Sequence, residues 1–207
     1  MSDLVVVLHG LGQRKFYMSL IATRLSRAGF VVKNFGYRSR RHTIATQIEK
    51  LREFLLPFKG RRLNFVAHSL GSILARAFVL RFGDEFQYGR LVMLGPPNHG
   101  SSFARGLEAL LPAEKIWGPV LSELAHLSMP TASDKIEIGV IAGQRSLWPW
   151  PFLKGAHDGI VTVEETKLPG MKDFVLVSAV HAELLFKKKV SDLAISFLKS
   201  GSFSQGS

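Results

Sequence analysis

The most informative stretch of the chain is an apolar run that breaks off into a serine turn, Leu63-Asn64-Phe65-Val66-Ala67-His68-Ser69-Leu70-Gly71-Ser72. The run predicts a buried strand, and the residues after Ser69 predict a helix. A tight strand-to-helix turn of the form small-x-Ser-x-Gly lifts a serine hydroxyl above the edge of a sheet. Ala67 and Gly71 supply the small residues that such a turn needs, although glycine is commoner at the first position. We therefore predict that Ser69 is a nucleophile.

A glycine turn follows an earlier strand. Leu4-Val5-Val6-Val7-Leu8 is an uninterrupted apolar run, which is typical of a strand buried on both faces. It ends in His9-Gly10-Leu11-Gly12, and a glycine-rich turn at that place can aim backbone N–H groups at a developing oxyanion. The same pattern is also an ordinary connection from a strand to a helix, so its meaning depends on the serine turn.

Asp158 and His181 are the expected partners of the serine. Asp158 comes after the fifth strand-like run and His181 after the sixth. Their order along the chain, behind Ser69, is the order expected for this kind of serine turn. A serine needs a histidine to take its proton, and a carboxylate holds that imidazole in the required tautomer. His157, beside Asp158, is the rival base, although adjacent residues seldom orient each other well.

Strand-like and helix-like runs alternate throughout, which predicts an α/β fold with a parallel sheet covered on both faces. The strands fall near residues 4–8, 31–36, 62–68, 90–95, 136–142 and 173–178. Ligands bind at the carboxyl ends of the strands in such a sheet, so the two turns, Asp158 and His181 should meet at one edge. The competing acid Asp134 precedes its strand and should lie at the opposite edge.

These features together resemble the α/β-hydrolases, and among them the small bacterial lipases and esterases. The resemblance runs from about Leu4 to Leu198 and implies a reduced version of that fold, with about six strands and helices on both faces. It also implies that the backbone N–H groups of Leu11 and Leu70 bind the oxyanion.

The chain should form one domain over residues 1–200, followed by a polar glycine- and serine-rich tail over 201–207 that we expect to be disordered. Between the fourth and fifth strands, residues 103–127 have an apolar spacing that suits two short amphipathic helices. We interpret this insertion either as a lid or cap over the site or as helices packed on the sheet.

An aromatic loop follows the fifth strand, with the sequence Leu147-Trp148-Pro149-Trp150-Pro151-Phe152-Leu153. The prolines favour an extended segment in which alternate side chains share one side. We therefore predict that Trp148, Trp150 and Phe152 bind the substrate as walls of an acyl-chain pocket.

The sequence thus predicts a serine hydrolase that cleaves carboxylic esters, as an esterase or lipase, through an acyl-enzyme. An acyltransferase or thioesterase with the same three residues stays open, and so does a binding protein on the same fold without activity. The chain has no cysteine and no His-x-x-His pair, so we expect neither a metal nor another cofactor. The substrate is expected to be a small-molecule or lipid ester.

The formal net charge of +11 suggests anionic partners. No nucleic-acid motif accompanies the scattered basic residues, so we expect no nucleic-acid partner. Basic residues do follow the first two strands, at Arg14, Lys15 and 38–41, which predicts a positive rim near the site. Such a rim would attract anionic substrates or an anionic lipid surface, or else it is a solvated turn that aids solubility.

The sequence also bears on location. No run approaches the ~20 apolar residues of a membrane span, and the N-terminus lacks the basic and apolar regions of a secretion signal. We therefore expect a cytoplasmic protein without a transmembrane segment.

Overall fold

A computed structural model describes residues 3–110, 112–130 and 134–203. Six strands form one sheet in the order β2-β1-β3-β4-β5-β6, and each of the five pairings is parallel. The strands are β1 Leu4–Leu8, β2 Val31–Phe35, β3 Arg62–His68, β4 Gln87–Leu94, β5 Glu137–Gly143 and β6 Asp173–Val177. The predicted α/β fold with a six-stranded parallel sheet is confirmed.

The described residues form eight α-helices, and none of them is long and apolar enough to cross a membrane. They are α1 Ser19–Arg27, α2 Ile44–Leu55, α3 Leu70–Arg81, α4 Ser102–Leu110, α5 Ala113–Trp117, α6 Pro119–Ala125, α7 Val163–Thr166 and α8 Lys188–Ser200. Short 3₁₀ turns lie at Lys15–Met18, Leu56–Phe58 and His181–Leu185.

The sheet has a hydrophobic core on each face, which explains the uninterrupted apolar sequence of β1. Leu4, Val6 and Leu8 pack into the core under α2 and α3, whereas Val5 and Val7 pack into the core under α1 and α8. All five residues are buried. Side chains alternate between the faces of a strand, so a strand covered on both sides needs apolar residues at every position.

The insertion forms three short helices, α4 to α6, rather than the two that the sequence suggested. Gly118 adopts a positive φ of 78° after α5, and Pro119 opens α6. Glycine at a helix end and proline at the next helix start are both strong boundary residues, so the second predicted helix is broken there. The helices pack on the same core as α2 and α3.

The first residues of the predicted tail contact α8. Gly201 closes α8 in the left-handed conformation, and the buried Phe203 packs on Phe197 with 5.0 Å between ring centroids. The Phe203 ring also fills the space over Gly139, where a Cβ would lie 2.8 Å from it. Residues 204–207 of the predicted tail lie outside the described residues.

Candidate active site

Ser69 stands at the turn between β3 and α3 in a strained backbone conformation. Its φ is 53° and its ψ −121°, and it is the one non-glycine residue with a positive φ in the described part of the chain. Such a conformation costs of order 1–3 kcal/mol and persists only where the surroundings enforce it. Gly71 allows the close packing around this turn, since a Cβ at that position would lie 2.6 Å from the Leu8 carbonyl oxygen.

His181 and Asp158 form a close pair beside this turn. The His181 Nδ1 lies 2.7 Å from the Asp158 Oδ2, and the Asp158 side chain is buried. The other carboxylate oxygen, Oδ1, accepts the N–H groups of Ile160 and Val161 at 3.0 and 2.8 Å. The carboxylate is thus fixed by its own loop, and its free side is turned to the imidazole, the arrangement that sets a histidine tautomer.

Two glycines make room for this pair. A Cβ at Gly95 would lie 3.1 Å from the His181 ring, and a Cβ at Gly143 would lie 2.8 Å from the Asp158 Cβ. His157, the rival base, is engaged in its own turn, where its Nδ1 accepts the Gly159 N–H at 3.1 Å. The structure therefore brings His181, and not His157, against the carboxylate of Asp158.

The glycine turn after β1 leaves one N–H group open. The Gly10 N–H donates to the Gln13 Oε1 at 2.7 Å, and the Gly12 N–H donates to the Ser39 Oγ at 2.9 Å. The N–H of the following residue, Gln13, donates to the Gly10 carbonyl oxygen at 3.3 Å. The Leu11 N–H has no acceptor within the described chain. Leu70 is the first residue of α3, so its N–H has no acceptor in its own helix either.

Gln13 and His68 connect the glycine turn to the loop of His181. The His68 Nδ1 lies 3.2 Å from the Gln13 Oε1, and its Nε2 lies 3.2 Å from the His181 carbonyl oxygen. Burial is the main cause that lowers the pKa of His68 well below its usual value, so the ring is neutral. The role of Gln13 was not predicted from the sequence, because one polar residue in a turn carries no motif.

His9 is a second buried neutral imidazole. Its Nδ1 donates to the Gly10 carbonyl at 2.9 Å, and its ring stacks on Tyr37 with 4.0 Å between centroids. Burial lowers the pKa of His9, while its backbone hydrogen bonds act in the opposite direction. Both rings therefore support the turns, and their lowered pKa values favour the neutral form near pH 7.

We expect these two histidines to make the protein less stable in mild acid. Their pKa values are lowered on folding, so the unfolded chain binds more protons below its histidine pKa of about 6.5. The free energy of unfolding should fall as the pH drops from 7.5 to 5.5, by up to ~1.4 kcal/mol per pH unit for each ring. Urea denaturation across this range measures the slope.

The matched variants for this test are His68→Gln and His99→Gln, since His68 is buried and His99 is exposed. The slope should become shallower in the first and stay unchanged in the second. A wild-type stability that does not vary between pH 7.5 and 5.5 would contradict the neutral state of the buried rings.

A cavity of about 140 Å³ lies above the serine turn. Ser69, His181 and Leu11 line it together with apolar residues, among them Pro97, Phe103, Leu107, Trp117, Leu121 and Leu124. Most of this apolar wall comes from the insertion, so these helices form one side of the cavity as well as packing on the sheet.

The aromatic loop does not form part of the described wall of this cavity. Trp148, Trp150 and Phe152 are not among the described residues that line this cavity. Phe152 packs behind Phe103, with 5.8 Å between ring centroids, and fills the space over Gly106. Trp148 and Trp150 line a second pocket, which shares His181 and Ile160 with the first.

One of the basic residues after β2 reaches the cavity wall. The Arg40 guanidinium lies over the ring of Trp117 at 4.3 Å from its centroid. Trp117 lines the cavity, whereas Arg40 is not among its described lining residues. Within the described residues, no group of three histidine, aspartate or glutamate side chains could hold a metal ion.

No protein-family model and no curated protein matches the chain. Solved structures do match it. The mature lipase BlEst2 of Bacillus licheniformis is 19% identical, with a TM-score of 0.66 over 89% of this chain and 86% of its own. The metagenomic carboxyl esterase MGS0156 is 15% identical, with a TM-score of 0.69 over 87% and 64%.

A third match is the type II thioesterase BorB from the borrelidin biosynthetic cluster. It is 15% identical, with a TM-score of 0.66 over 96% of this chain and 92% of its own. The parallel sheet, the serine turn and these likenesses together define the fold: the chain has the α/β-hydrolase fold.

Proposed function

We propose that this protein is a serine hydrolase that cleaves carboxylic esters through an acyl-enzyme. The observation that carries the proposal is the convergence of Ser69, the His181–Asp158 pair and the open Leu11 N–H on one cavity. Fold likeness at this identity does not set the reaction, so the proposal depends on these residues.

In the proposed reaction the Ser69 hydroxyl attacks the ester carbonyl while His181 takes its proton. Asp158 orients the imidazole and stabilises its charged form. The N–H groups of Leu11 and Leu70 bind the oxyanion, and one such donor typically contributes ~2.7–4 kcal/mol to the transition state. His181 then gives the proton to the leaving alcohol, and a water molecule frees the acid from Ser69 by the same steps.

The cavity also suggests the acyl group. Its wall is apolar, and its 140 Å³ is well below the ~300–1,000 Å³ of pockets that hold drug-sized ligands. The proposed acyl chain is therefore short and apolar.

A thioesterase with the same residues is the second candidate, and the likeness to BorB is the observation that favours it. A panel of soluble esters and thioesters with matched acyl chains separates the two, with Ser69→Ala as the blank. The ester proposal predicts a higher kcat/KM for the oxygen esters after correction for their spontaneous hydrolysis. A clear preference for thioesters would replace it with the second candidate.

The proposal also includes the positive rim near the site. The contact of the Arg40 guanidinium with the Trp117 ring supports it. Arg38 and Arg41 are the exposed neighbours to test, because changing them leaves the contact of Arg40 with Trp117 in place. The double variant Arg38→Glu/Arg41→Glu should lower kcat/KM for an anionic ester more than for a neutral one. The attraction is screened within ~8–10 Å at ordinary ionic strength, so the difference should shrink in high salt.

The control for the rim is Arg27→Glu/Arg62→Glu, with one residue at the end of α1 and one at the start of β3. Both are exposed at the opposite edge of the sheet. Equal effects from the two pairs, or an effect that high salt leaves unchanged, would remove the rim from the proposal.

A further inference from the structure

We infer that the second pocket is a separate apolar subsite for the leaving alcohol of the ester. The inference rests on the proposed function and adds to it the class of alcohol. The pocket has a volume of about 280 Å³ and lies between the loops after β5 and β6. Its apolar wall includes Leu147, Trp148, Trp150, Ile160, Val180 and Ala182.

The position of His181 gives this pocket its role. His181 and Ile160 line both spaces, so the imidazole stands where the cavity over Ser69 meets the second pocket. When the acyl-enzyme forms, the bond between the carbonyl carbon and the alcohol oxygen breaks, and that oxygen takes the proton from His181. The alcohol must therefore lie against His181 while the acyl group occupies the cavity over Ser69.

The aromatic loop is held in shape before any ligand binds. The Ser146 Oγ donates to the Trp148 carbonyl at 2.8 Å and lies 3.2 Å from the Trp148 N–H. Trp150 stacks on Phe152 at 5.4 Å and meets the edge of Phe103 at 5.6 Å. Prolines at 149 and 151 restrict the backbone further. A preformed wall loses little conformational entropy on binding.

The loop also presents apolar surface that the protein does not cover. Leu147 is 72% and Trp148 70% exposed. Trp150 is 36% exposed and packs against the rings of Phe103 and Phe152. A flat apolar group placed between Trp148 and His181 would remove part of that surface from water. Burial of aromatic surface is favourable, and offset ring contacts add to it.

The residues that line the second pocket disfavour a charged alcohol or thiol as the leaving group. Among the described residues that line it there is no lysine or arginine. Its acidic residue, Asp158, is buried and paired with His181. No cation in this wall could pair with the phosphate of a phosphorylated leaving group. The class that fits is therefore an uncharged aryl or arylalkyl alcohol.

The test is a matrix of soluble, monomeric esters in which acyl group and alcohol vary separately. Acetates and butyrates of ethanol and of 2-naphthylmethanol serve as substrates, and kcat/KM is measured for the wild type, Trp148→Ala, Leu107→Ala and Phe16→Ala. Leu107 lines the cavity over Ser69, and Phe16 is an exposed aromatic residue that lines neither space.

We expect Trp148→Ala to lower the ratio of kcat/KM between naphthylmethyl and ethyl esters by about tenfold, at either acyl length. Leu107→Ala should change the ratio between butyrate and acetate but not the alcohol ratio, and Phe16→Ala should change neither. Trp148→Phe, which keeps an aromatic ring, should restore most of the alcohol preference. Melting temperatures establish that each variant is folded.

Two results would overturn the subsite. One is an equal loss on all four esters in Trp148→Ala, and the other is a shift in acyl preference in place of the alcohol ratio. A wild type without esterase activity and without a reactive serine would refute the proposed function itself, which is a distinguishable outcome.

Discussion

Ser69→Ala should abolish ester hydrolysis, with a loss of about 10⁶-fold in kcat if the three residues act as a unit. The alanine keeps the turn but has no oxygen to attack the carbonyl. The protein should fold as before, because α3 and β3 around the turn are buried and unchanged. Turnover of a short-chain ester by the purified variant gives the loss, and urea denaturation gives the stability.

The matched control is Ser72→Ala, three residues further on. The Ser72 Oγ donates to the Ala67 carbonyl at 2.7 Å and does not line the cavity. Its loss should cost only the ~0.5–1.5 kcal/mol of an ordinary hydrogen bond and leave most of the activity. Full hydrolysis by Ser69→Ala, or an equal loss in both variants, would remove Ser69 from the reaction.

Asp158→Asn should lower kcat by about 10⁴-fold while the fold persists. The amide oxygen can still accept the N–H groups of Ile160 and Val161, so the –NH₂ group would face the His181 Nδ1. An N–H donor at that place forces the imidazole to carry its own proton on Nε2. A protonated Nε2 can no longer accept the proton of Ser69. Single-turnover kinetics separate this loss from weaker binding.

Asp134→Asn is the control for this change, since Asp134 is exposed at the opposite edge of the sheet. It should keep wild-type kinetics. If Asp134→Asn were the more damaging of the two, the placement of the site at the carboxyl ends of the strands would be wrong.

The fold could be predicted from the sequence because its signals are local. The apolar run of β1 must be buried on both faces, and the serine turn at Ser69 allows few residues at 67 and 71. Asp158 and His181 could be proposed because each follows a strand, and the carboxyl ends of parallel strands meet at one edge. The structure places both beside that turn.

The walls of the site could not be predicted in the same way. They depend on how loops pack over the sheet, and no periodic pattern records that packing. Alternation in the aromatic loop suggested one shared side for its three rings, but Phe152 turns inward over Gly106, while Trp148 stays on the surface. Gln13 was missed because its role depends on His68, which is distant in sequence.

Labelling with a fluorophosphonate, followed by mapping of the modified residue, tests the nucleophile most directly. Such a probe reacts with a serine only where a base and an oxyanion site activate the hydroxyl. We expect one modified residue, Ser69, with labelling lost in Ser69→Ala and strongly slowed in His181→Ala. An unlabelled wild-type protein would contradict the proposal that this chain is an active serine hydrolase, and a label on any other serine would contradict the assignment of Ser69 as its nucleophile.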